Sequence, residues 1–254
     1  MTVDITLVDF AQYLADEAAK KTVPLFRNVS SETKADGTMV SKADREAEEV
    51  MRKLIEINFP EHGIFAEEFG NVRTDAEYVW VLDPIDGTAA FLAGRPLFGT
   101  LIGLLHNGEP VLGLLDQPIS KDRWLAANDE TKLGMKTLYS RRCDSLSDAF
   151  FATTSPFLFQ REEVALVAAI TEKCGQTIYG GDCYNYGQLA QGNLDLIIES
   201  GLKPYDYLPL VKLVQNAGGV MTDWQGNPLE LNSDGRVVAC GDKNLHSKVL
   251  KLLA

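Results

Sequence analysis

The residues with the plainest chemical potential lie in Trp80–Phe91, WVLDPIDGTAAF, where an apolar run leads straight into two aspartates, a proline, a glycine and a threonine. Loops at strand ends are where sites are commonly built. Pro84 fixes its own φ and biases Asp83 toward extended backbone, so Asp83 and Asp86 can converge while the Ile85 carbonyl stays free to face a cation. Two carboxylates about 4 Å apart repel by about 4 kcal/mol at an effective dielectric near 20, so their convergence calls for a cation between them. A hard divalent ion with oxygen ligands meets that need. Gly87 and Thr88 follow at once, and if AAFLA begins a helix, their backbone N–H groups make an anion site beside the metal. Taken alone, DPIDGT reads equally well as a tight turn with Asp, Pro and Gly in their usual turn roles.

Other acids share this ambiguity. Glu67 and Glu68 follow the apolar run GIFA, which puts charge at a sheet edge. Asp44, in SKAD, makes an ordinary capping box with Ser41. Asp206, in LKPYDYLPL, stands at a helix start, where the helix dipole favours an acid without any metal. His62, His106 and His246 have no ligand or relay spacing and are expected at surface or packing positions.

The elements that must position these residues follow from periodicity. Leu7, Phe10, Ala11, Leu14 and Ala18 form one stripe of a helix over 7–26, and after the polar segment SSETKADGTMVS a second helix opens at Ser41 and stops at Pro60. Two helices are thus expected before any strand. From Gly63 to Ala127 the runs GIFA, YVWVLD, GTLIGLL, PVLGLLD and RWLAA read as strands. The rest alternates: strand 149–153, helix 162–174, strand 177–179, helix 184–190, strand 194–199 and helix 204–217, then short strands and a terminal helix after Asp242. Layered helices and sheets in two halves, 1–145 and 146–254, are the natural architecture.

The bulk properties narrow the function. The 254 residues are 45% hydrophobic and 24% charged, as in an ordinary globular chain. With 36 acids against 24 Lys and Arg, the formal charge of -12 repels a phosphate backbone, so nucleic acid is not expected as a partner. Cys143, Cys174, Cys183 and Cys240 form no CxxC pair, which points to reduced thiols and a cytoplasmic location. The acidic N-terminus has the wrong charge order for a targeting peptide. The apolar stretch 97–115 is broken by HNGEP and reads as a hairpin, so no membrane partner is expected.

WVLDPIDGT, AEEFG, VSKADREAE and KPYDYLPLVKLVQNAGGVMTDWQG resemble, in kind and spacing, the motifs of the inositol-monophosphatase superfamily over about four fifths of the chain, from Lys34 onward. The resemblance implies a layered αβαβα sandwich with mixed sheets, of the inositol-monophosphatase/fructose-bisphosphatase kind, and hydrolysis of a small phosphate monoester with two to three Mg2+ ions. Glu67, Asp83 and the Ile85 carbonyl would hold one ion, Asp83, Asp86 and Asp206 a second, and Glu67 a third through water. Asp44, Glu67 and Thr88 match the catalytic positions, and Gly87 and Thr88 match the phosphate-binding ones. Five carboxylates and a phosphate dianion sum to about minus seven, which two to three divalent ions nearly neutralise. Departures are Ala66 for a usual Gly, Tyr205 for a usual Trp, and Pro209 for a usual small residue, the last expected in the first turn of its helix, where proline is tolerated. Family members are often dimers, so a homodimer is expected.

Substrate choice is expected in GGDCYNYGQLAQGNLDLIIESGLKPYD, through Asp182, Asn185 and Glu199 together with Asp86 and Asp206. An added carboxylate at Asp182 suits a cationic leaving group. On their own, Asp182 reads as a helix N-cap and Glu199 as a strand-end acid. These residues, with FLAGRPLFGTLIGLL and GLLDQPISKDRWLAA, resemble the histidinol-phosphate phosphatases of the superfamily, whose substrate carries an ammonium and an imidazole. A broad inositol or sugar-phosphate phosphatase is the alternative of the same class. A regulatory interaction protein on this fold is the alternative of another class, disfavoured because such a module has no need to concentrate repelling carboxylates.

Overall fold

The apolar stripe at the N-terminus folds as α1 (Ile5–Thr22), with all five expected positions buried. Asp4 caps it, its side chain accepting the Thr6 N–H at 2.7 Å. A 3-10 turn at Val23–Leu25, carrying Pro24, ends it. The computed structural model describes residues 2–28, 31–33 and 39–253, so residues 30 and 34–38 of the polar segment lie outside the described residues. Two short strands, β1 (Ser31–Thr33) and β2 (Met39–Ser41), pair antiparallel ahead of α2 (Lys42–Asn58), which corrects the expectation of two helices before any strand. Their three-residue backbone pairing lacks the apolar alternation by which a strand is read from sequence.

The next eight elements are β3 (Gly63–Ala66), β4 (Tyr78–Asp86), α3 (Thr88–Leu92), β5 (Gly99–His106), β6 (Glu109–Gln117), β7 (Asp122–Ala127), β8 (Glu130–Leu133) and β9 (Lys136–Thr137), with the strands forming one seven-stranded sheet in chain order. β3 runs parallel to β4, and the other pairs are antiparallel. The expected hairpin is β5–β6, closed by Asn107 and Gly108 at φ 51° and 84°, a pair suited to a two-residue turn. The polar strands β8 and β9 escaped sequence reading.

The remaining elements are β10 (Phe150–Thr153), α4 (Arg161–Thr171), β11 (Gln176–Tyr179), α5 (Tyr184–Ala190), β12 (Leu196–Glu199), α6 (Pro204–Asn216), β13 (Val220–Asp223), β14 (Val237–Cys240) and α7 (Lys243–Leu253). Their sheet, ordered β11-β10-β12-β14-β13, mixes parallel and antiparallel pairs. Three apolar clusters define five layers. α1 and α2 cover one face of the large sheet, α5 and α6 fill the space between the sheets, and α4 and α7 cover the outer face of the small sheet. This is the expected αβαβα sandwich.

Pro209 corrects one expectation. It is the sixth residue of α6, past the first turn, where proline removes a backbone hydrogen bond. Around it, α6 packs directly onto two glycines of the large sheet. A Cβ on Gly103 would stand 3.1 Å from Pro209 Cα, and one on Gly113 would collide with the Pro209 carbonyl oxygen. Bare backbone on β5 and β6 thus lets α6 sit close enough to carry Asp206 to the end of β4.

Candidate active site

Asp83 and Asp86 are three residues apart, an odd spacing that regular strand alternation sends to opposite faces. The structure resolves this with a bulge. Asp83 pairs with Leu101 and Asp86 with Gly99, three steps on β4 against two on β5. Pro84 and Ile85 occupy the bulge, held by Thr100 Oγ1 donating to the Pro84 carbonyl at 2.8 Å and the Ile85 N–H donating to Asp83 Oδ1 at 3.0 Å. Asp206 arrives from the first turn of α6, where its Oδ2 accepts the Lys203 N–H at 2.7 Å. One carboxylate oxygen from each of Asp83, Asp86 and Asp206 then lies within 4.8 Å of the others.

The electrostatics record the crowding. Burial, and then the charges of Glu67, Asp86, Asp206 and Asp44, push Asp83 well above the usual carboxylate range. Burial does the same to Asp86, with the charges of Asp182 and Asp206 adding to it and the Cys183 N–H, 2.6 Å from Asp86 Oδ2, opposing it. Asp206 is pushed up to about 7, by burial first, against the pull of the Lys203 N–H. Glu67, directly after β3, thus acts on both Asp83 and Asp206. The chain answers this concentration of negative charge with backbone N–H groups, and an oxygen-only donor set of this kind fits a hard divalent cation.

Asp44 shows that a capping role and a site role coexist. Its Oδ2 accepts the Ser41 N–H at 2.9 Å and the Ser41 hydroxyl at 2.5 Å, completing the expected capping box. Its Oδ1 is buried with no hydrogen-bond partner, an oxygen left over for a cation or a water. Thr88 Oγ1 donates to the Ile85 carbonyl at 3.2 Å, at the start of α3. Gly87 has φ 84°, and a Cβ there would stand 3.1 Å from the Asp182 carboxylate.

The expected substrate residues divide. Asp86, Asp182, Glu199 and Asp206 line one cavity of about 90 Å³, with Leu158 and Tyr186 among its walls. Asp182 does not cap α5. It has φ 46°, the helix N-cap is Cys183, and burial pushes Asp182 up to about 6 while the charge of Arg95 pulls it down. Glu199 ends β12 as expected, but buried, accepting the Thr154 N–H at 3.1 Å, the Thr154 hydroxyl at 2.5 Å and the Tyr186 hydroxyl at 2.9 Å. Asn185 stands behind the wall, donating to the Gly180 carbonyl at 3.0 Å and bracing the Gly180–Gly181 turn. Thr154, Tyr186 and Arg95 were not singled out by the sequence, because what joins them to the site is long-range packing with no local motif. The histidines sit in packing roles: His62 accepts from Trp80 Nε1 at 3.1 Å, His106 meets Glu77 and His246 meets Thr222.

A five-layered sandwich with a partly buried acidic cluster where β4 ends is the frame of a metal-dependent phosphatase. The sequence pattern of the inositol monophosphatase family matches residues 2–254, and the chain belongs to that family, as a phosphoric monoester hydrolase. The chain is 47% identical over 230 residues, 87% of its length, to the chloroplastic bifunctional phosphatase IMPL2 of Arabidopsis thaliana, of which the match spans 66%. It is 30% identical, over 94% of its length and 93% of the relative's, to a histidinol-phosphatase of Chlorobaculum parvum. The structure of an inositol monophosphatase from Zymomonas mobilis superposes with a TM-score of 0.92 at 46% identity, covering 100% of this chain and 99% of that one. No helix among the described residues is long and apolar enough to cross a membrane.

Proposed function

We propose that this chain hydrolyses a small phosphate monoester with a cationic alcohol portion, histidinol phosphate, releasing histidinol and phosphate. The observation that carries this reading is the pairing of Asp182 with Glu199 on the walls of the cavity that Asp86 and Asp206 share. With Asp86 and Asp206 committed to metal in this reading, Asp182 and Glu199 remain to face the alcohol portion, and two carboxylates there favour an ammonium or imidazolium over a neutral polyol, each charge-assisted bond contributing roughly 1.5–3 kcal/mol when shielded from water. A histidinol-phosphatase name among the relatives supports the same reading.

In this reading two to three Mg2+ ions are held by the ligand sets expected from the sequence: Glu67, Asp83 and the Ile85 carbonyl; Asp83, Asp86 and Asp206; and Glu67 through water. Bound there, they would lower the pKa of a water and offset charge on the phosphate and the leaving oxygen. The chain's own groups do the rest. Asp44 Oδ1 and the Thr88 hydroxyl orient the attacking water, and Asp44 takes up its proton. Gly87 and Thr88 hold phosphate oxygens by their N–H groups. Asp182 and Glu199 meet the cationic end, and Leu158 and Tyr186 exclude water around it. The reading divides the chain into a half over 1–145 carrying most of the ligands and a half over 146–254 carrying Asp206 and the substrate-selecting residues. It also keeps the cytoplasm as the compartment, in line with four free cysteines, and a homodimer as the assembly.

The inositol monophosphatase reading is favoured by the Zymomonas mobilis likeness. Phosphate release from histidinol phosphate and inositol monophosphate, with magnesium present or chelated, separates the two. We expect higher kcat/KM on histidinol phosphate, and an Asp182→Ser variant that narrows this preference about ten- to a hundredfold. Higher kcat/KM on inositol monophosphate, or a preference untouched by Asp182→Ser, refutes the assignment.

A further inference from the structure

Glu48 lies one helical turn beyond Asp44 on the inner face of α2, and its side chain is 0% exposed. Its carboxylate is committed to the loop that leaves β3. Oε2 accepts the Glu68 N–H at 2.7 Å, and Oε1 accepts the Phe69 N–H at 3.0 Å. Arg52, a further turn along, donates Nη1 to Glu48 Oε1 at 3.2 Å and to the Gly70 carbonyl at 2.7 Å. On the strand side, Asn71 Oδ1 accepts the Ala66 N–H at 3.1 Å. The backbone is therefore tied on both sides of Glu67.

A buried ion pair is a poor device for stability alone, because an apolar pair of similar volume often serves as well. What an apolar side chain cannot do is accept two backbone N–H groups that point inward from a loop. Groups behind a metal ligand that fix its orientation commonly govern affinity by ten- to a hundredfold. We propose that Glu48, supported by Arg52, is a positioning residue that shapes the 66–70 loop before any metal arrives, so that the Glu67 carboxylate meets Asp83 without a conformational cost at binding. This inference rests on the reading of Glu67 as a metal ligand.

The test is calorimetric titration of the metal-free protein with Mg2+ and Mn2+, without substrate, alongside kinetics. Glu48→Gln leaves one acceptor where two are needed and sets an amide N–H against a backbone N–H. The expected result is metal affinity weakened about ten- to a hundredfold, with kcat at saturating magnesium within about threefold of wild type and KM for substrate unchanged. Arg52→Gln is expected to shift affinity the same way by a smaller factor. Wild-type protein that binds no divalent ion overturns the metal reading and this inference with it. Wild-type binding together with Glu48→Gln affinity within twofold of it, or a fall in kcat at saturating metal with affinity intact, overturns this inference alone. If Glu48→Gln fails to fold, hydrogen exchange of the wild-type protein decides. The Glu68 and Phe69 amides should be protected equally with and without metal, and unprotected exchange in the metal-free protein overturns the proposal.

Discussion

Glu199 offers a prediction whose size follows from its surroundings. The side chain is buried at the end of β12, and burial pushes it up to about 7 from an ordinary 4.5, while its bonds from Thr154 and Tyr186 pull it back and the charge of Asp182 adds to the rise. A raised carboxyl pKa means that between pH 4.5 and about 7 the folded chain keeps a proton the unfolded chain has lost. Stability therefore falls as pH rises through that window. At about 1.4 kcal/mol per pH unit the window is worth about 3 kcal/mol, of which about 2 kcal/mol falls between pH 5.5 and 8.5. Glu199→Gln stays neutral at every pH and can keep both contacts, its carbonyl toward Thr154 and its amide toward the Tyr186 oxygen. Urea unfolding of the metal-free wild type and variant from pH 5.5 to 8.5 measures the difference directly. The variant should gain about 2 kcal/mol on the wild type across that range. A difference that stays flat, or moves the other way, refutes the argument that burial controls this carboxyl.

Two further outcomes follow from packing and protonation. Gly113→Ala places a methyl against the Pro209 carbonyl and forces α6 away from the sheet, so it should cost about 1–3 kcal/mol or more and lower Tm by several degrees; a melt within one degree of wild type contradicts the close approach. His246 is buried beside Thr222 and its pKa is lowered by burial, so the unfolded chain takes up a proton below pH 6.5 that the folded chain resists. Stability should therefore fall from pH 7 to 5 more steeply in wild type than in His246→Gln, as read by urea melts at each pH, and parallel curves would contradict it.

How much of this was legible depended on the range of the interaction. The apolar stripe of α1, the Ser41–Asp44 capping box and the Asn107–Gly108 turn are local, and each stood in the sequence as the structure has it. Asp83, Asp86 and Asp206 were legible as residue types in motifs. Their convergence depended on a bulge that reverses strand alternation and on two glycines that admit a proline-bearing helix, neither of which a single sequence reveals. The carboxylate of Glu48 escaped notice because its partners lie twenty residues away, although its place four residues after Asp44 on one helix face was a usable signal. Thr154 and Tyr186 join Glu199 across 45 and 13 residues, and no local pattern marks such a triad.

The central claim is that the carboxylates of Asp83, Asp86 and Asp206 are gathered because a divalent cation binds among them. Anomalous diffraction from crystals soaked in saturating manganese tests this most directly. The account predicts a peak within about 2.0–2.6 Å of an oxygen from at least two of the three aspartates, lost in Asp83→Asn. An ordered map with no peak there, or with the three side chains turned apart, contradicts it.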